Sequence, residues 1–348
     1  MSLRLVVLAV ALALPLAATA TTLRVPSEYG TIRAATFVAV DGDTVIVSPG
    51  TYLDRFTIHD KSIVLRGETR AADTILDGSL ALGNVITLHR VGRGMIVEDL
   101  TITGGAFNTV APESVGTAVY VNQGAPTIQR CILTRNHATA GGGVYAAFFS
   151  TPLVRDCWIA YNDGGGIFIE THDGLASGPR AELRNTFIVR NTGFGISVTR
   201  GAKATIKNCT IAYNSGDGLR SELGAGGAGK CYIAMHRSLV TNHGGAGVIR
   251  RDTGVCFDLQ CNDVWENLGG NYVGSSPGDP CFTGRGVGDV SIDPQYADPT
   301  MDRFELAPTS VLLTVFCGPG SCGAPGAGNS CTISVQQSSW GALKEKYR

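Results

Sequence analysis

Six asparagines recur along the middle of the chain at a nearly constant interval, and no other feature narrows the fold as far. They stand at Asn136, Asn162, Asn191, Asn214, Asn242 and Asn267, in steps of 26, 29, 23, 28 and 25 residues. Three residues before each lies an aliphatic residue: Leu133, Ile159, Ile188, Ile211, Leu239 and Val264. Eight before lie Ile128, Val154, Leu183, Ile206, Ala234 and Leu259. A column five before runs Cys131, Cys157, Thr186, Cys209, Arg237 and Asn262, and loses its character toward the end. After the first five asparagines come glycine and then Val144, Ile167, Ile196, Leu219 or Val248. A shared period of this size means stacked units, none able to bury its apolar face alone, that together form one continuous core.

Leucine-rich repeats share the apolar-and-asparagine half of this pattern, but their second half is helical or 3₁₀ and rich in leucine. Here the second half reads Gly164-Gly165-Gly166-Ile167-Phe168-Ile169 or Gly193-Phe194-Gly195-Ile196-Ser197-Val198, glycine turns entering alternating strands. Glycine, 46 of 348 residues, also argues against long helices. The expected fold is therefore all-β: a right-handed parallel β-helix with three short strands per coil. Asparagine suits its corners because it tolerates left-handed backbone and bonds neighbouring peptides. Stacked asparagines would form a ladder.

The domain plan follows. Leu3 to Ala20 is an apolar run behind Arg4, broken by Pro15 and ending in Ala18-Thr19-Ala20, so residues 1–20 read as a signal peptide. Residues 21–43 read as an N-terminal cap with a short helix over Thr31 to Ala39, 44–288 as the β-helix, and 289–348 as an irregular C-terminal capping tail. The formal charge of −1, −2 once Arg4 is removed, gives no overall pull toward nucleic acid or an anionic membrane. The mature chain is read as a secreted or cell-envelope monomer with no membrane segment.

Ten cysteines suit an oxidising compartment. Cys131, Cys157 and Cys209, in one repeat column, read as small buried thiols. Cys231 and Cys256 each lie eleven residues before an asparagine, which predicts a bridge between neighbouring coils. Cys261 and Cys281 form a second candidate pair.

Several segments carry a family resemblance. Thr31-Ile32-Arg33-Ala34-Ala35 with Asp41-Gly42-Asp43-Thr44-Val45-Ile46-Val47-Ser48-Pro49-Gly50-Thr51-Tyr52 resembles the usual first coil of the secreted right-handed parallel β-helix proteins of the pectin-lyase-like superfamily. Ile63-Val64-Leu65-Arg66-Gly67 and Thr74-Ile75-Leu76-Asp77-Gly78 are similar to the second. Asp293-Pro294-Gln295-Tyr296 with Asp302-Arg303-Phe304-Glu305-Leu306 resembles the closing segment of uncharacterised bacterial members. The resemblance implies the fold across nearly the whole mature chain, but not one activity, since lyases, hydrolases, esterases and non-catalytic surface proteins share it. The paired aspartates, Gly-His-Gly and Arg-Ile-Lys motifs of polygalacturonase-like hydrolases do not occur.

Strand alternation places candidate chemistry on one face. With Ile167, Ile196, Leu219 and Val248 inward, Phe168, Ser197, Arg220 and Ile249 point outward, followed by Glu170, Thr199, Glu222 and Arg251. The next bend adds His172, Asp173, Arg200 and Asp252. Carboxylates beside arginines and an aromatic ring can hold an acidic sugar, directly or through calcium. Phe168, His172, Asp173, Arg200, Arg251 and Asp252 are the candidate carbohydrate contacts. Glu170, Glu222 and Arg220 are the groups that a lyase or hydrolase would use for proton transfer. No metal site is read from spacing; Asp293, Asp298 and Asp302 lack EF-hand spacing and read as turns. Trp158 and Phe187 form a second outward aromatic row, expected to lie beneath the 106–116 loop or the tail. The function expected is carbohydrate binding by a non-catalytic envelope or adhesion module, with a lyase or hydrolase of acidic, pectin-like polysaccharide as the alternative.

Overall fold

The computed structural model describes residues 20–107, 115–171, 178–223 and 230–315. The residues read as a signal peptide (Ala20 apart), the centre of the 106–116 loop and the tail beyond residue 315 lie outside them. Three long parallel sheets wrap one core. Sheet A has ten strands, from Thr22–Val25 to Val255–Gln260; sheet B has nine, from Gly50–Leu53 to Asp263–Trp265; sheet C has nine, from Phe56–His59 to Tyr272–Val273. After the first strand, Thr22–Val25, each coil contributes one strand to each sheet, in the order A, B, C, so this is the expected parallel β-helix.

The inward stack is aliphatic on every side. Val97, Ile128, Val154, Leu183, Ile206 and Met235 line sheet A, and Ile102, Leu133, Ile159, Ile188, Ile211, Val240 and Val264 line sheet B, all with no exposed surface. The free thiols of Cys131, Cys157 and Cys209 are buried beside them. At the amino end the helix Ile32–Val38 closes the core with Ile32 and Ala35, and the Thr31 hydroxyl caps it by accepting the Ala34 amide at 3.0 Å.

The short strands are joined by tight corners that force single residues into left-handed backbone. Between sheets A and B these are Asp99, Arg130, Asp156, Asn185, Asn208, Arg237 and Cys261, with φ from 48° to 58°. Between sheets B and C they are Arg135, Tyr161, Arg190, Tyr213, Asn242 and Glu266, with φ from 48° to 59°. The residue after each corner of this second column forms the ladder. Asn136 donates through its amide and Nδ2 to Asn162 Oδ1 at 3.1 and 2.9 Å. Asn162 does the same to Asn191 at 3.1 and 3.0 Å, and Asn191 to Asn214 at 2.9 and 3.0 Å. One coil earlier Gly105 takes the ladder position and donates its amide to Asn136 Oδ1 at 2.9 Å.

At the fifth rung the expected residue is corrected. Asn242 occupies the left-handed corner, and His243 occupies the ladder, accepting the Asn214 amide on Nδ1 at 3.2 Å and donating its own amide to Asn267 at 3.1 Å. Thr210 pairs with Leu239 and Ile211 with Val240, so this coil is one residue longer than a count from Asn242 implies. The same offset puts Met235 rather than Ala234 inward and Ser238 rather than Arg237 in the cysteine column.

That one-residue shift also overturns the first disulfide assignment, and the bridge that does form overturns the second. Cys256 pairs in register with Tyr232, and Cys231 with Val255; Cys231 therefore points into the core as a free thiol. Cys256 points outward and is bonded to Cys281. Cys281 is thus unavailable to Cys261, which is itself disulfide-bonded.

The outward aromatic row of sheet B is covered by the tail. Tyr296–Asp298 and Arg303–Leu306 form an antiparallel hairpin, and Phe304 packs with Trp158, Tyr213 and Tyr296 at ring separations of 6.0, 5.5 and 5.5 Å. Asp302 accepts from Arg190 at 2.6 Å and fixes the hairpin to the solenoid.

Candidate functional site

The outward face of sheet C begins with the apolar alternation of its strands. Val119, Val144, Ile167, Ile196, Leu219 and Val248 are buried inward, so Tyr120, Tyr145, Phe168, Ser197, Arg220 and Ile249 line up outside, one per coil. The rings interlock edge to face: Tyr120 on Tyr145 at 5.3 Å and Tyr145 on Phe168 at 5.0 Å. Phe194, from the glycine turn before the Ile196–Thr199 strand, continues the row at 5.8 Å from Phe168. The Arg220 guanidinium lies 4.1 Å from the Phe194 ring centre and its Nε donates to Ser197 Oγ at 3.0 Å. Tyr120, Tyr145 and Phe194 are buried, whereas Phe168 and Arg220 are half-buried and form the surface.

Beside this row run the polar groups. Glu170, Thr199 and Glu222 are in register on successive coils. Both oxygens of Glu170 are taken, one by the Tyr145 hydroxyl and the other by Arg200 at 2.9 Å. Burial, with Glu170 next to it, pushes the Tyr145 hydroxyl far above its ordinary range. Burial also holds the Arg220 guanidinium below the usual arginine value, against the opposing pull of Glu222. Arg251 pairs with Asp217 at 3.0 Å, and Asp252 accepts the Leu223 amide at 2.7 Å. Phe168, Glu170, Arg200, Arg220 and Glu222 therefore share one face, and Arg251 and Asp252 sit at the corner beyond it. His172 and Asp173 lie outside the described residues. Among the described residues, no three His, Cys, Asp or Glu side chains are placed to hold a metal. Asp298 instead caps a short 3₁₀ turn and Asp302 bonds Arg190 and Tyr161.

Sequence reasoning missed Tyr120, Tyr145 and Phe194. The first two were legible: Val119-Tyr120 and Val144-Tyr145 repeat the inward–outward pair Ile167-Phe168 two coils and one coil earlier. Phe194, inside a turn, carries no such signal. No helix among the described residues is long and apolar enough to cross a membrane.

Comparison with known proteins follows the fold. The alginate lyase of Paenibacillus sp. str. FPU-7 superposes with a TM-score of 0.50 at 10% identity, over 73% of this chain and 97% of that one. The pectin methylesterase of Aspergillus niger gives 0.47 at 14%, over 79% and 91%, and PemA, the pectin methylesterase of Erwinia chrysanthemi, 0.46 at 12%, over 79% and 93%. At these identities the likeness is one of fold. No curated protein matches the sequence. The model of the right-handed β-helix region matches residues 88–262, half of the chain, which places it in the repeat coils that carry both the ladder and the sheet C face; the protein belongs to the right-handed β-helix family.

Proposed function

We propose that this chain is an exported carbohydrate-binding module whose glycan lies across the outward face of sheet C, without being cleaved. The observation that carries the reading is the pairing of a half-buried ring, Phe168, with a guanidinium, Arg220, each held rigid from beneath, by Tyr145 and by Phe194. Rigid aromatic and arginine groups lose little freedom when a sugar ring stacks on them. Arg200 and Glu222 supply the hydrogen-bonding rim, and Arg251 and Asp252 extend it. Glu170 works as a strut, because Tyr145 and Arg200 already use both its oxygens. A fold relative is named an alginate lyase, which makes acidic polysaccharide the first ligand class to try. The disulfides and the apolar run before Ala20 support an extracytoplasmic setting.

A lyase is the second reading, and one observation favours it: Arg220 and Glu222, an arginine and a carboxylate two residues apart on one strand, both point to the outward face of sheet C. A polysaccharide panel separates the two. The module reading expects retention on acidic glycans, weakened by Arg220→Gln, with no new reducing ends and no unsaturated product. Product that accumulates in wild type and vanishes in Arg220→Gln establishes the lyase.

A further inference from the structure

The amino-terminal end of sheet C carries a column of side chains that the Phe168–Arg220 surface does not use. In the strands Phe56–His59, Ile86–His89 and Val119–Asn122 the inward positions Ile58, Leu88 and Val121 have no exposed surface, so alternation turns His59, His89 and Asn122 outward. His59 pairs in register with His89, and His89 with Asn122. Exposure falls along the column: His59 is exposed, His89 is half-buried, and Asn122 is only 4% exposed. The next position in register is Ala147, which adds a methyl group and no donor atom.

The donor atoms of this column are unspent. Elsewhere the histidines have partners: His137 Nδ1 faces Asp163, His236 Nε2 faces Asp258, and both ring nitrogens of His243 serve the ladder. Among the described residues the rings of His59 and His89 have no hydrogen bond and no ion pair, and they meet each other edge to face at 5.3 Å. Asn122 Oδ1 is buried without a hydrogen-bond partner, an arrangement that is costly unless something supplies the missing contact. At the adjoining corner Arg90 donates to both oxygens of Asp60 at 2.7 and 2.8 Å, so that pair is neutral as a unit and claims neither ring.

Geometry selects the missing partner. An ion bound ~2.05 Å from an imidazole nitrogen lies ~3.2 Å from the ring centre, so two rings on one tetrahedral ion stand ~5.2 Å apart. Two rings at the right angle of a square-planar ion stand ~4.5 Å apart. His59 and His89, at 5.3 Å, have the tetrahedral separation. We infer that His59, His89 and the Asn122 amide oxygen form a binding site for a zinc-class divalent ion, two imidazoles and one oxygen, with the fourth position open to water or a ligand. The third donor is an amide, so the site needs no third His, Cys, Asp or Glu. Imidazole suits zinc, whereas calcium and magnesium take oxygen ligands, so neither fits this donor set. The site uses none of Phe168, Glu170, Arg200, Arg220 and Glu222; it can fail while the carbohydrate reading stands, and the reverse.

The test is calorimetric titration of the full chain, freed of metal and carrying no affinity tag, with Zn²⁺, Ca²⁺ and Mg²⁺ chlorides at neutral pH, alongside thermal unfolding with and without Zn²⁺. Expected is a Zn²⁺ binding event that raises the thermal midpoint and that Ca²⁺ and Mg²⁺ do not reproduce. His59→Ala and His89→Ala should each weaken this event by more than the ~10-fold that loss of a supporting contact costs, and each should lose the Zn²⁺-dependent rise in midpoint. His137→Ala, which removes an exposed histidine from a different column, should bind Zn²⁺ as wild type does. Asn122→Asp replaces the amide oxygen by a carboxylate of the same shape and should tighten the event by about tenfold or more, a gain that a merely misfolded variant cannot give. The metal-free midpoint of His59→Ala should equal that of wild type, because the side chain is exposed and unbonded; this separates lost binding from lost folding. Four results each overturn the inference: no Zn²⁺ binding tighter than about 1 mM, wild-type affinity in both His59→Ala and His89→Ala, Ca²⁺ binding as tight as Zn²⁺ binding, or no tightening in Asn122→Asp.

Discussion

His243 offers the sharpest physical test of the ladder. Its Nδ1 accepts the Asn214 amide at 3.2 Å and its Nε2 faces the Ile211 carbonyl at 3.1 Å. An amide donor on one nitrogen and a carbonyl acceptor on the other are satisfied together by the neutral ring with its proton on Nε2. Burial lowers the imidazole pKa from 6.5 to about 4. In the unfolded chain the ring titrates at its ordinary value, so between pH 6.5 and 4 the unfolded state takes up a proton that the native state refuses. This group's penalty is absent above pH 6.5 and grows as the pH falls, at ~1.4 kcal/mol per unit, to about 3 kcal/mol near pH 4. Asparagine at this rung can meet both partners, as Asn214 does when its Nδ2 donates to Ile188 O at 3.0 Å. His243→Asn should therefore match wild type within ~1 kcal/mol at neutrality and become the more stable protein in acid, by about 2–3 kcal/mol at about pH 4.5. Urea unfolding followed by fluorescence across this range measures the difference directly, since all other titrating groups are common to both chains. A difference between wild type and variant that stays flat from neutrality to acid would refute the placement of the ring in the ladder.

Three further outcomes follow from the packing. Asp263 is fully buried, and burial raises its carboxyl to about 7, so the native state holds a proton that the unfolded state loses above 3.8; its contribution is present below pH 3.8 and is lost as pH rises through 7. Asp263→Asn should accordingly gain stability over wild type at about pH 8 relative to about pH 4, read by the same unfolding curves. Gly166→Ala would place a methyl group 2.5 Å from Ile188 Cγ2 and 2.7 Å from the Gly195 carbonyl, and should cost ~1–3 kcal/mol in urea unfolding. Phe304→Ala should cost ~3–5 kcal/mol and shift the emission of Trp158 to the red, because Phe304 is the ring that covers it.

The repeat was readable because every coil solves the same local problem. An inward aliphatic, a corner and a glycine turn recur, so Ile159, Ile188 and Ile211 announce the core and Asn162, Asn191 and Asn214 the ladder. The reading slipped where two positions accept the same residue type. Asparagine is favoured both in the left-handed corner and in the ladder, and Asn242 sits in the first while His243 fills the second. Strand pairing resolves this, and sequence spacing does not. Because side chains alternate, a slip of one residue reverses faces, which is why Cys231 and Cys256 looked stacked when one points in and the other out. Covering of Trp158 was legible as a need, since an exposed aromatic row is costly, but the choice of Phe304 depends on contacts across more than a hundred residues.

The functional claim is met most directly by titrating one acidic glycan, chosen from the panel, against wild type and an Arg220→Gln, Glu222→Gln double variant, with the reaction mixtures assayed for cleavage. The account predicts saturable binding by wild type, at least a tenfold loss in the double variant with unchanged unfolding curves, and an intact polymer in both. Equal affinity in the two proteins, or a polymer shortened by wild type alone, would contradict it.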